Sequence, residues 1–444
     1  VYRLAHATQT TATVWVRHTS GGVLTLECNG QTFPGDTLDT GTADGSGTVT
    51  ATGLSAGRDY PFTVSVGGVQ LHAGTLKTAP AAGSTFGLLY AYCFHPGRPA
   101  MPILNAMKQH DDIAAFVMGG DNIYADAGPG TGPTTINGET FYNLGAAMQA
   151  DPTDLAAARS NTRAQYRSNF KMPGIQQAIE SFPTYAVISD HDIQAGDNYD
   201  ASRDHADAND YIVWATTDAE AEAVYDELVD IFHEVYKGHP ENTSANRNTN
   251  LPTTSQFYYD CVYGDAHCIF LDANTHKVRG SIDYGATQIA WIKEVLSAST
   301  ATWKIIFTGE ATGESRSSLT TDDQEIADYI DAQGITGVVM ITGDIHAPAV
   351  FEYGFPILRS GQASQDNHVG TQEGYPGETT FKGLGYFSDG VDANAGDRAC
   401  CYIQIQGSEK LLFEFINQDG DMFWSAEMLP DANALVYPQL RLSA

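Results

Sequence analysis

IAAFVMGGDNIYAD, residues 113–126, is the stretch on which the fold class turns. Its first six residues are all apolar, the pattern of a strand buried on both faces. Gly119 and Gly120 then let the backbone turn sharply, and Asp121 follows at the strand terminus with Tyr124 three positions on. The same arrangement recurs in FGLLYAYCFH (86–95), TYAVISDHD (184–192), HCIFLDAN (267–274), WKIIFTGE (303–310) and GVVMITGDIH (337–346), with helical stretches between them. Doubly buried strands alternating with helices predict an α/β sandwich, in which ligands gather beyond the carboxyl ends of the strands.

Upstream the texture differs. TATVWVRH (11–18), VLTLECNG (23–30), GTVTATGL (47–54) and DYPFTVSVGG (59–68) are short alternating strands separated by Gly, Asp and Ser turns, the pattern of a β-sandwich of immunoglobulin or fibronectin type III style. Tyr60 stands where such a module places the tyrosine that opens its penultimate strand. KTAPAAGST (77–85), rich in Pro, Gly and small residues, reads as a linker. Two domains are therefore expected, an N-terminal sandwich over 1–80 and a catalytic domain over 81–444.

Composition narrows the function. The 444 residues carry 54 Asp+Glu against 23 Lys+Arg, a formal net charge of −31. That charge repels polyanions at long range and argues against a nucleic-acid partner, while bound cations can reverse its sign inside a cleft. Six scattered cysteines, none in C-x-x-C spacing, predict neither a disulfide framework nor structural zinc. The chain begins at Val1 and contains no apolar run near 20 residues, so the expectation is a mature exported protein, secreted or periplasmic, without a membrane span. Its oligomeric state is not legible in the sequence.

The strand-end residues are of a kind that does chemistry. Asp121 offers carboxylate oxygens to a hard cation, and Tyr124 can reach the same ion as a phenolate, a ligand that favours trivalent iron. In SDHDIQAGDN (189–198), Asp190 and Asp192 flank His191. Carboxylates on either side would orient the imidazole and favour its charged form, which suits a general acid protonating a leaving alkoxide. Asp197 and Asn198 add oxygen ligands nearby. Asp344 and His346, two apart in an extended segment, would fall on one side as a two-point metal clamp. Cys93 and His95 end the first catalytic strand, and Cys93 is either a small buried apolar residue or a thiolate beside a metal.

In their order and spacing, CFHPG (93–97), GGDNIYAD (119–126), YRSNFKMPGIQQAIESFPTYAVISDHD (166–192), YYDCVYGDAHCIFLDANTHKVRG (258–280) and ITGDIHAP (341–348) resemble the PhoD-like alkaline phosphatase family. This is a branch of the calcineurin-like metallophosphoesterases. The resemblance implies a calcineurin-like α/β sandwich that hydrolyses phosphomonoesters or phosphodiesters at a site of one Fe3+ and one or two Ca2+ ions. Asp121 would bridge the metals, Cys93 and Tyr124 would lie on the iron side, and Asp344 and His346 would complete the shell. Asp190 or Asn198 would serve calcium, His191 would be the catalytic histidine, and Asp126 could hold an extra calcium.

The chain also departs from the family. Ser189 stands where the first of two aspartates is common, and Leu271–Asn274 replaces Leu-Asp-Thr-Arg, which leaves Arg167, Arg279 and Arg316 as substitutes for a substrate-gripping arginine. The substrate expected is a small phosphate ester. Phospholipase D-like or phosphotriesterase activity are the alternatives on the same scaffold, and a non-catalytic calcium-binding surface protein is the alternative from another class.

Overall fold

Alternation along the first seven strands sorts their side chains into a core and a wet surface. These are β1 (Tyr2–Ala7), β2 (Thr11–Arg17), β3 (Gly22–Cys28), β4 (Gln31–Leu38), β5 (Ser46–Thr52), β6 (Asp59–Val66) and β7 (Val69–Lys77). They form two sheets, ordered β1-β2-β5 and β4-β3-β6-β7, with every pairing antiparallel. Val14, Val16, Leu24, Leu26, Phe62 and Val64 fill the space between them. Tyr60, at the start of β6, accepts a hydrogen bond on its hydroxyl from Ser55 N at 2.8 Å, the corner expected of this module.

The computed structural model describes residues 1–41, 44–124, 133–142, 151, 153–193, 217–240, 257–275, 284–310, 321–344, 349–352, 354–359, 363 and 398–436. The chain continues through β8 (Thr85–Ala91), α1 (Met101–Gln109), β9 (Ile113–Met118), the hairpin β10 (Thr134–Ile136) and β11 (Glu139–Phe141), α2 (Leu155–Asn169), α3 (Ile175–Ser181) and β12 (Thr184–Ala186). Then come α4 (Asp218–Val235), β13 (Tyr259–Tyr263), β14 (Ala266–Phe270), α5 (Gly285–Ala298), β15 (Trp303–Thr308), α6 (Thr321–Gln333) and β16 (Val338–Thr342). The last strands are β17 (Ala349–Glu352), β18 (Pro356–Arg359), β19 (Ala399–Gln406), β20 (Lys410–Asn417), β21 (Met422–Met428) and β22 (Leu435–Val436).

Two mixed sheets result, β12-β9-β8-β19-β20-β21-β22 and β13-β14-β15-β16-β18-β17. In the first, β8, β9 and β12 run parallel; in the second, β14, β15, β16 and β18 do. The continuous apolar runs are explained by what lies on each face. Ile305 and Phe307 of β15 point into the core between the sheets, where Phe307 stacks on Tyr90 and Phe270 at centroid distances of 5.8 and 5.1 Å. Ile306, between them, points outward against Ile292 of α5 and Ile326 of α6. Each such side chain contributes roughly 1.5–3 kcal/mol by leaving water, which favours apolar residues on both faces through the middle of the strand. Among the described residues, no helix is long and apolar enough to cross a membrane.

The N-terminal sandwich is fastened to the α/β part by a buried cation. Arg3 of β1 donates to Thr184 O (3.1 Å) at the start of β12, and to Val235 O (3.2 Å) and Lys237 O (3.1 Å) at the end of α4. Trp15 Nε1 donates to Glu234 O at 3.0 Å beside it. A second tie is ionic. Asp44 bonds both Arg17 and Arg167, each at 2.7 Å, and Arg167 continues to Glu139 at 2.8 Å. Arg167 is thus a strut between the sandwich and the β10–β11 hairpin rather than a substrate grip.

Candidate active site

At the carboxyl ends of β8, β9, β12, β15 and β16 the two sheets come together through glycine. A Cβ on Gly343 would stand 2.7 Å from Gly119 O and 3.2 Å from Gly309 O. Gly120, at φ +101°, would put one 2.7 Å from Ser189 Cβ. Only residues without side chains let these strand ends approach so closely. Parallel pairing then runs on past the strands, with Cys93 N donating to Gly120 O (3.2 Å) and Phe94 N to Asp121 O (2.9 Å).

Three residues at these ends hold left-handed backbone conformations without being glycine: Cys93 (φ +58°), Asp121 (φ +49°) and Asp344 (φ +67°). Such a conformation costs roughly 1–2 kcal/mol per residue and clusters at functional sites. It also corrects one expectation. Asp344 is not in an extended segment, so alternation gives no ground for placing it and His346 on one side; His346 lies outside the described residues, as do Asn198, Asp126, Asp197, Arg279 and Arg316.

Five of the expected side chains meet. Cys93 Sγ donates to Asp121 Oδ2 at 3.0 Å and Tyr124 donates to the same oxygen at 3.2 Å. Carboxylate oxygens of Asp121 and Asp190 and a ring nitrogen of His191 all lie within 4.8 Å of one another. The His191 ring packs on Tyr124 at 4.3 Å between centroids, and His95 approaches the same tyrosine at 5.7 Å. Asp344 joins through its carbonyl, which lies 3.8 Å from Cys93 Sγ. Ser189 Oγ stands 3.1 Å from Asp190 Oδ1 and 3.2 Å from Gly309 O, linking the two sheets beside the cluster.

The electrostatics are those of a place made for a cation. Asp121 is buried, its Oδ1 has no hydrogen-bond donor, and burial pushes its carboxyl up to about 6 against the opposing charge of His191. Burial, reinforced by Asp121, likewise drives the Cys93 thiol and the Tyr124 hydroxyl well above their usual ranges. A buried carboxylate oxygen left without a donor costs several kcal/mol unless an ion or water meets it. Hard carboxylate oxygens, an imidazole, a phenol and a thiol on one locus fit a metal centre of mixed hardness.

Asp192 does something other than flank His191. Residues 190–192 form a 3₁₀ turn, which sends Asp192 away from the imidazole into the protein. There it accepts from Asn122 N (3.0 Å), Asn122 Nδ2 (2.9 Å), Ile123 N (3.3 Å), Ser189 N (3.1 Å) and the Tyr166 hydroxyl (3.1 Å). Burial nevertheless pushes it up to about 7. Asn169, one helical turn beyond Tyr166 on α2, donates to Phe94 O (2.8 Å) and Asn122 O (2.9 Å). These supporting residues were missed in the sequence. The available signal was the polar buried face of α2, where Asn161, Thr162, Gln165, Ser168 and Asn169 occupy positions that a helix on a core normally gives to apolar residues.

Comparison with known proteins agrees with this geometry. A search of curated protein sequences finds no match. Among solved structures, the chain is similar to PhoD, with a TM-score of 0.70 at 15% identity over 98% of this chain and 91% of that one. It is also similar to purple acid phosphatase PPD1 from yellow lupin (Lupinus luteus) seeds, with a TM-score of 0.61 at 12% identity over 100% of this chain and 77% of that one. At those identities the likeness speaks for the fold alone. The family model described as PhoD-like phosphatase matches residues 88–371, the span that supplies every strand end of the site, and the chain belongs to that family of metal-dependent phosphoesterases.

Proposed function

We propose that the chain hydrolyses phosphate esters, as an alkaline phosphatase or phosphodiesterase, at a site that takes one Fe3+ and one or two Ca2+ ions. The observation that carries this is that Asp121, with one buried oxygen lacking a donor, lies with Asp190 within 4.8 Å of His191, which places two carboxylates for a cation beside an imidazole positioned to act on the leaving group. Asp121 would be shared between ions, Cys93 and Tyr124 would hold the iron, and Asp190 and Asp344 would complete the set described. When bound, the ions supply activated water and neutralise charge that builds on the phosphoryl oxygens. The protein's own part is to hold these groups rigid and to exclude alternatives: Ser189 steadies Asp190, the Tyr124 ring fixes the plane of His191, and His191 gives a proton to the leaving oxygen.

The test begins with metal analysis of protein purified without added metal, paired with a visible spectrum. A tyrosinate-to-iron charge-transfer band that disappears in Tyr124→Phe supports the iron assignment. Activity is then measured on aryl phosphates, bis-aryl phosphates, phospholipids and phosphotriesters, which separates the ester classes. His191→Ala should keep its metal and lose most turnover if His191 is the proton donor. Inactivity on all four substrates after loading with iron and calcium would sink the proposal.

A further inference from the structure

Asp192 lies outside the cation cluster, yet five hydrogen bonds converge on its carboxylate. Four of its five donors come from two segments: Asn122 and Ile123 directly follow the strained Asp121, and Ser189 directly precedes Asp190. Tyr166 anchors the same carboxylate to α2. Backbone N–H groups at both segments are thus tied to a single pair of oxygens. A carboxylate can accept from several donors at once, and no neutral side chain of that size offers so many acceptor sites.

We infer that Asp192 is the positioning residue of the metal centre: its carboxylate sets the distance between the Asp121 segment and the Asp190–His191 turn, and so the affinity of the site for its cations. The inference rests on the proposed metal-dependent function and goes beyond it, because Asp192 is not one of the proposed ligands and its oxygens are taken up by protein donors. Its two oxygens have separate duties. Oδ1 takes the Asn122 and Ile123 amides and Tyr166, whereas Oδ2 takes Asn122 Nδ2 and Ser189 N. In Asp192→Asn the amide NH2, placed at either position, confronts donors with a donor, so the neutral isostere breaks one segment's attachment while barely changing volume.

The experiment titrates wild type and Asp192→Asn with Ca2+ by calorimetry, measures iron retained against a chelator, and follows kcat and KM on an aryl phosphate. Near-ultraviolet circular dichroism confirms that the variant is folded. Loss of a group that orients ligands typically lowers metal affinity about 10–100-fold. The expected result is a loss of that size, a fall in kcat at limiting metal that excess metal reverses, and an unchanged KM. Should Asp192→Asn fail to fold, Tyr166→Phe removes one of the five donors and should weaken metal binding by about fivefold, the worth of one hydrogen bond. Metal affinity within twofold of wild type in the folded variant overturns the inference. A wild-type protein that takes up no metal overturns the functional reading beneath it, so the two failures are told apart.

Discussion

Removal of the Arg3 guanidinium should loosen the whole molecule, and its size can be worked out. Arg3 is fully buried and its hydrogen bonds go to three backbone carbonyls, with the Tyr236 and Trp15 rings at 5.2 and 5.9 Å from its Cζ. Burial pushes it from an ordinary 12.5 down to about 10, a cost of about 3 kcal/mol at about 1.4 kcal/mol per tenfold, yet it stays charged at neutral pH. Against that stand three charge-assisted bonds of about 1.5–3 kcal/mol each. Two of them cap carbonyls at the end of α4, where a cation is favoured by the helix dipole. The difference is roughly 1.5–6 kcal/mol in favour of the arginine, and Arg3→Ala should lose that amount. Urea unfolding followed by tryptophan fluorescence reads it, since Trp15 sits in the same interface; a separate early transition would show the sandwich detaching first. Arg3→Lys should fall between, because one ammonium cannot reach three divergent carbonyls. A loss below about 1 kcal/mol in Arg3→Ala would refute the idea that this cation joins the two parts.

Two further outcomes follow from the same structure. Burial alone would raise Asp44, but hydrogen bonding from Arg17 and the charge of Arg167 outweigh it and hold the carboxyl below its usual range. A depressed carboxyl stabilises the fold above its unfolded value and loses that contribution as pH falls through the folded one, so the Asp44 contribution is complete at neutral pH and fades below about pH 4. Asp44→Asn should cost about 1–2 kcal/mol at pH 7 and make the acid side of a melting-temperature profile shallower. Gly343→Ala should force apart the strand ends that meet at Gly119 and Gly309, lowering stability by about 1–3 kcal/mol and turnover with it; wild-type turnover in that variant would show that the close approach is dispensable.

Much of the fold was legible because burial on two faces leaves a plain mark. Ile305, Ile306 and Phe307 are all apolar since each meets a core, inward or outward, and the first polar residue after such a run marks where the ligand end begins. Asp121, Asp190, His191, Cys93 and Tyr124 were singled out in this way, and the structure brings them together. Roles that depend on turn geometry were not. Reading Asp190 and Asp192 as symmetric flanks of His191 assumes neighbours that project alike, whereas a 3₁₀ turn rotates successive side chains by about 120°, and Asp192 ends up among donors from another loop. Arg167 meets Asp44, 123 positions earlier, and nothing local in either segment announces that pairing. The polar face of α2 was visible as a break in apolar periodicity, but its meaning required the loops that it holds.

The strain at the site is itself an argument about what the site is for. Cys93, Asp121 and Asp344 each adopt a backbone conformation that glycine would hold at little cost, and glycines already occupy the adjoining positions 119, 120 and 343. At 121, glycine would relieve roughly 1–2 kcal/mol but remove the carboxylate on which Cys93 and Tyr124 converge. Hydrogen bonds at Asn122 and Ile123, both drawn to Asp192, hold the strained residue from its carboxyl side, and Phe94 N holds its carbonyl. A strained acid, buried, without a donor on one oxygen and fixed on both sides, is disfavoured by backbone geometry and by desolvation alike. What would compensate for both is a charge opposite to its own, which is the physical ground for reading this aspartate, set after two glycines, as the centre of a candidate cation site.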